Sequence, residues 1–241
     1  MDSSSDFTSA APVTNAEYAA RRLLANGATG EIPHLQALAD RYPYDRSDLR
    51  PLDVVMPFLQ TPPQLYLALD IGFPHGVNSK PAMRALLCFQ IIHRIGLSMG
   101  SDLPSRTGLA AFLQADWPCI LSWLNFALDR SGSSAAISTV AQFLAVCYAA
   151  GSDVMGDVPV TVDLAFRIWC GEFNQGETSE HVTSSMVQFF KKCLDTGGSA
   201  EAAVADLFES TSRTPSRSSS RTATTSLHST PIVLQAERYV S

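Results

Sequence analysis

The chain has 241 residues with a net charge of −6, 46% of them apolar and 17% charged, the composition of an ordinary globular protein with a sizeable core in one large domain or two small ones. Met1 to Asn15 has neither a basic cluster nor an apolar stretch, and the uncharged span Ala135 to Ala150 is shorter than the ~20 residues of a membrane helix, so no secretory signal, transit peptide or membrane span is expected. Residues 1–100 carry 9 acids and 8 bases, residues 101–209 carry 13 and 5, and residues 210–241 carry 1 and 4; the body lacks the clustered Lys and Arg that phosphate contacts need, which excludes nucleic-acid binding through it.

Residues 1–13 are small and polar and are expected to be disordered. A helical array is expected over 14–209. Its first helix begins at the capping box Thr14-Asn15-Ala16-Glu17, carries Leu23 and Leu24, and stops at Gly27. Pro33 opens a short second helix with Leu35 and Leu38 inward, ended before Pro43. Asp48 to Leu59 has Leu52, Val55, Met56 and Leu59 at helical spacing, with Pro57 kinking or ending it. Thr61-Pro62-Pro63 starts another short helix bearing Leu65, Leu67 and Leu69, before the turn cluster Gly72-Phe73-Pro74-His75-Gly76. Ser79 and Pro81 start a long helix whose inward stripe is Met83, Leu86, Leu87, Ile91 and Ile95, ending at Gly96 or Gly100.

A short helix, Thr107 to Ala115, precedes the stretch around which the rest is arranged, Asp116 to Arg130. Pro118 suits a first helical turn and the Asp116 carboxylate suits the positive end of the helix dipole. Leu121, Leu124 and Leu128, with Ile120 and Ala127, form one apolar face; Cys119, Trp123 and Phe126 adjoin it, leaving Ser122, Asn125 and Asp129 as a narrow polar stripe. A helix apolar over most of its circumference is covered on several sides, so Trp117, Trp123, Leu124 and Phe126 are expected in the structural core at the centre of an all-helical body.

Ser134 to Ala150 is expected to be a helix with Ile137, Val140, Ala141, Leu144 and Tyr148 on one face, closed by Gly151. Asp157 to Cys170 reads as a helix with Val162, Phe166 and Trp169, although Val158, Val160 and Val162 also suit a short strand; the helix is preferred because no partner strand is available. Thr178 or Ser179 caps a helix with Val182, Met186, Phe189 and Cys193 inward and Lys191 and Lys192 near its negative end, stopped by Gly197-Gly198; Ser199 caps a last helix to Phe208. The five cysteines, 23 to 31 residues apart, form no CxxC pair or zinc spacing, and are expected as reduced core or near-core thiols of an intracellular protein, cytoplasmic or nuclear.

Residues 210–230 turn abruptly to Ser, Thr and Arg and are expected to form a disordered tail, while residues 231–241 return to apolar content and are expected to begin a further element, with truncation there as one reading. Thr214, followed by proline, and Ser216 and Ser220, which end Arg-x-x-Ser patterns, are candidate phosphorylation sites. Arg213, Arg217 and Arg221 give the tail a charge opposite to the acidic half of the body, so an intramolecular tail contact that phosphorylation releases is an expectation.

Successive helices joined by Pro/Gly turns suggest an irregular α-solenoid of the armadillo or HEAT type, without a regular repeat period. Trp117-Pro118-Cys119-Ile120-Leu121-Ser122-Trp123-Leu124-Asn125-Phe126 also resembles the Trp-Pro…Trp-Leu/Ile-x-Phe helix in the armadillo-like region of basidiomycete fungal proteins that often carry a MYND-type zinc finger downstream. The Cys-rich finger is absent from this chain, so no metal ligand carries over.

Chemistry is sparse. His34, His75, His93, His181 and His228 are scattered, outside any general-base or metal motif. Glu180 and His181 make an acid/base site only if the fold brings Asp163 and Glu172 to them, and Asp153, Asp157 and Asp163 lack calcium-loop spacing. No nucleophile elbow, P-loop or dinucleotide fingerprint is present. The expected function is a non-enzymatic helical module or scaffold that binds another protein, with no metal and no cofactor. The alternatives are the scaffold portion of a zinc-finger adaptor truncated here, and an enzyme whose polar residues assemble only in three dimensions.

Overall fold

Proline and glycine set the boundaries of the helices. In a computed structural model of the protein, which describes residues 32–45, 48–72, 80–100, 103–131, 133–150, 158–173 and 179–212, the regular structure among the described residues is entirely α-helical. The elements are α1 Ile32–Asp40, α2 Arg50–Leu59, α3 Pro63–Gly72, α4 Pro81–Met99, α5 Leu103–Gln114, α6 Trp117–Ser131, α7 Ser134–Ala150, α8 Val158–Trp169, α9 Glu180–Thr196 and α10 Gly198–Ser212. Proline stands in the first turn of α2 and α4, where its missing N–H is no loss. Gly100 (φ 55°) and Gly197 (φ 72°) end α4 and α9 in a backbone conformation that side chains disfavour. Ser179 caps α9 by accepting a hydrogen bond from the Val182 N–H.

Three details differ from the sequence expectation or settle an open alternative. Val158 to Val162, also readable as a strand, forms the first turns of α8. Pro57 lies inside α2, which ends two residues later; the Thr61 hydroxyl donates to the Pro57 carbonyl at 2.8 Å, supplying a partner to a carbonyl near the helix end. The change of composition at Ser210 does not stop α10, which runs on to Ser212: the Ser210 hydroxyl donates to the Leu207 carbonyl of its own last turns. The capping-box helix expected over residues 14–27, the 1–13 segment, the 73–76 turn and the rest of the 210–230 and 231–241 segments lie outside the described residues.

The core is one contiguous cluster that takes residues from α1 through α10. Helix α6 touches α2, α3, α4, α5 and α7, as its nearly all-round apolar surface requires, and Trp117, Trp123 and Leu124 are completely buried. It shares the centre with α7, whose packing on α9 and on α4 is the most extensive in the fold. Gly96 allows the α4–α7 approach: a Cβ there would stand 2.2 Å from Cγ1 of Val146. Helices three apart in the chain also meet, α1 with α4, α4 with α7, and α3 with α6.

Candidate functional site

The most tightly specified part of the molecule surrounds Trp123. Its indole lies 4.3 Å from the Phe58 ring of α2, tilted by 31°, and meets Tyr66 of α3 edge-on at 5.6 Å. A buried indole N–H needs an acceptor, and Trp123 Nε1 donates to the Thr61 carbonyl at 2.8 Å, in the turn between α2 and α3. Trp117 Nε1 donates to Thr161 Oγ1 of α8 at 3.0 Å, and Gln60 Nε2 donates to Asp116 Oδ2 at 2.7 Å. Three hydrogen bonds therefore tie α6 and the residue just before it to the α2–α3 turn and to α8.

Arg84 is buried behind this cage, only 1% exposed. Its guanidinium lies 4.9 Å from the Phe58 ring centre and 5.8 Å from that of Tyr66, and Nη1 donates to the Tyr66 hydroxyl at 3.4 Å. Its Nε has no hydrogen-bond partner, and among the described residues no carboxylate pairs with it. Aromatic faces thus supply the electrostatic compensation, worth about 2 kcal/mol in a desolvated site. The sequence reading named the leucines of α3 and not Tyr66; the structure completely buries Tyr66 and leaves Leu65 and Leu67 half-buried, because the aromatic cage takes the ring on that face.

On the solvent side of this region α3, α4 and α6 enclose a groove of about 450 Å³. Leu67, Pro81, Met83 and Phe126 form its apolar wall, with Lys80 and Arg130 at its edge. Met83, expected in the inward stripe, is 43% exposed; Phe126, expected in the core, is half-buried and leans edge-on against Trp123 at 5.4 Å. Both corrections have one cause: Arg84 and Ala85 take the inward positions at the start of α4, which turns Met83 outward and leaves Phe126 without a cover. The Arg130 guanidinium lies 5.7 Å over the Phe126 ring. The first turn of α4 carries neither an acidic residue nor a side-chain cap, so its positive dipole end is left uncompensated.

A second cleft, about 400 Å³, lies where α4, α5, α7 and α9 meet, with His93, Leu97, Arg106, Gln142 and Gln188 among its lining. Leu97 is 50% exposed. Burial, reinforced by the neighbouring Arg94 charge, pulls the His93 imidazole below its ordinary value, so it stays neutral at physiological pH.

The remaining reactive groups are dispersed. Burial pushes the Cys88 thiol up to about 12 against the lowering influence of Arg84, and burial with the Asp116 charge does the same to Cys119. Cys147 is buried and raised well above the ordinary thiol value, and Cys193 is raised to about 11 by burial. Cys170, just beyond α8, is exposed and is raised by partial burial and then by Glu172. A thiolate nucleophile is therefore disfavoured at all five. Glu172 is held by Arg167 in a two-pronged ion pair at 2.9 and 2.7 Å, which commits the carboxylate considered with Glu180, His181 and Asp163. His34 and His181 are exposed. Among the described residues no group of three or more His, Cys, Asp or Glu could hold a metal ion, and no helix is long and apolar enough to cross a membrane. His75, His228, Asp153, Asp157, Thr214, Ser216 and Ser220, with Arg213, Arg217 and Arg221, lie outside the described residues. Comparisons with protein-family models, with curated proteins and with solved structures found no match to this chain.

Proposed function

We propose that the chain is a non-enzymatic, irregular α-solenoid of the armadillo or HEAT type that binds another protein through the grooves between its helices. The observation that carries the binding role is that two open grooves between helices each present a large apolar side chain to solvent, Met83 in one and Leu97 in the other. A side chain of this kind at a concave site is a ready anchor point for a partner. Support for the solenoid comes from the packing of α1 on α4 and α4 on α7, the step of three helices by which three-helix repeats stack. The raised thiols and the Arg167-bound Glu172 favour binding over catalysis.

The test is site-specific photo-crosslinking in cells from the full-length chain, with the photoreactive side chain placed at position 83 or at position 97. The expected result is a discrete adduct with another protein from at least one position. Absence of a defined adduct from both, with the chain expressed and folded, overturns the reading.

A further inference from the structure

We propose that the groove between α3, α4 and α6 receives an acidic amphipathic segment of a partner protein, its apolar side chains set between Met83, Leu67 and Phe126 and its carboxylates on Lys80 and Arg130. The assignment rests on the protein-binding reading above and adds the chemistry of the partner.

Charge decides the occupant. The chain as a whole is acidic, with a net charge of −6, yet the charged side chains lining this groove are both cations. Among the described residues neither Lys80 nor Arg130 is held in an ion pair. Both are exposed, and Arg130 stands over the Phe126 ring, so its charge is held directly beside the apolar wall. Behind that wall the buried Arg84 adds a third positive charge without a carboxylate partner, and the acid-free first turn of α4 adds the positive end of a 19-residue helix. The local field is therefore positive over an apolar surface, which complements a segment with a Leu or Phe stripe and flanking Glu or Asp. The same field disfavours the chain's own tail, in which residues 210–241 hold 4 bases and 1 acid.

A volume of about 450 Å³ lies within the ~300–1,000 Å³ range of clefts that enclose a ligand group, so the groove holds anchoring side chains while the rest of the segment lies across its edge. Steering by the rim charges gives association that weakens with added salt.

The experiment uses the full chain and a fluorescein-labelled synthetic helix with a Leu/Phe stripe and Glu on both flanks, beside the same helix with Lys in place of every Glu. Fluorescence anisotropy is followed at low and moderate salt. The expected result is saturable binding of the Glu peptide, weakened by salt, and ~10-fold or more weaker binding of the Lys peptide. Lys80→Glu/Arg130→Glu should reverse that preference, and Met83→Glu should weaken binding of the Glu peptide, with melting temperatures confirming that each variant is folded. Lys191→Glu/Lys192→Glu makes the same change in net charge on exposed α9 positions and should leave the affinity unchanged.

Equal binding of both peptides, no binding of the Glu peptide at low salt, or equal losses in the two double variants each overturn the assignment. So does sedimentation of the chain alone as a dimer that Met83→Glu converts to monomer, since the groove then belongs to a second copy. Cross-linked adducts from position 97 that persist beside a negative peptide result leave the binding module standing and remove only this occupant.

Discussion

Two aromatic clusters lie in one fold and obey different rules. Around Trp123 the rings of Phe58, Tyr66 and Trp123 are at most 1% exposed, and the indole N–H is satisfied by the Thr61 carbonyl. Where α8, α9 and α10 meet, Phe166, Trp169 and Phe208 are only half-buried, and rings meet edge-on, Phe166 with Phe208 at 6.0 Å and Trp169 with Phe208 at 5.9 Å. An aromatic side chain specifies a fold most strongly where its polar atom is taken out of water. Complete burial of an indole obliges a particular acceptor at a particular place, whereas a partly open ring needs only area.

The largest test of this contrast is Trp123→Ala. It removes a completely buried side chain and leaves the Thr61 carbonyl without its donor, so a loss of ~3–5 kcal/mol is expected in chemical denaturation. Next, Gly96→Ala probes the α4–α7 seam that joins the two clusters: the added methyl meets Val146, and a loss of about 1–3 kcal/mol is expected, largely recovered when Val146→Ala makes room. Trp169→Ala removes a half-buried ring and should cost ~1–2 kcal/mol; equality with Trp123→Ala would abolish the distinction between the clusters. Arg84→Met keeps the apolar stem and removes a buried charge that has no acidic partner, so the melting temperature should be equal or higher, and a large fall would show that the cation–ring contacts outweigh desolvation.

The smallest effect belongs to the exposed pair beside the second cluster. Hydrogen bonds from Arg167 hold the Glu172 carboxyl below its ordinary value. A carboxyl lowered by folding stabilises at pH above its unfolded value and loses that contribution as pH falls through its folded value. Solvent limits the amount to about 0.5 kcal/mol, read as a small loss of stability in acid that Arg167→Gln abolishes.

Helix existence was legible from apolar spacing and from Pro and Gly punctuation; α7 follows the boundaries and the face that its residues imply. The phase of α4 was legible in principle. Cys88, Ile92, Ile95 and Met99 lie three or four apart on its buried side, and carrying that spacing backward reaches Ala85 and Arg84 rather than Met83. Reading a cation as inward is what the pattern could not justify, because its partners, Phe58 and Tyr66, come from α2 and α3. The groove was hidden for the same reason: Lys80 and Met83 lie three apart at the start of α4, but Arg130 and Phe126 of α6 and Leu67 of α3 reach them only through tertiary packing. Trp117 and Trp123 could be placed as core residues from their helix alone, but their acceptors, Thr161 and the Thr61 carbonyl, lie 44 and 62 residues away.

The distribution of sulfur gives the molecule its own clock. Cys88 lies near the first cluster, Cys147 in the central helix α7, and Cys193 in α9 beside the second cluster; all three are buried and unpaired with one another, while Cys170 is exposed. A thiol reagent can reach a buried sulfur only during an opening of the surrounding structure, so each modification rate counts how often its own neighbourhood breathes. Under native conditions Cys170 should react first, though slowed by its raised thiol, Cys193 next, and Cys88 last, at the pace of global unfolding. Mass spectrometry of successive time points would read that order from the unmodified sequence, and simultaneous loss of Cys88 and Cys193 would mean that the two clusters open as one.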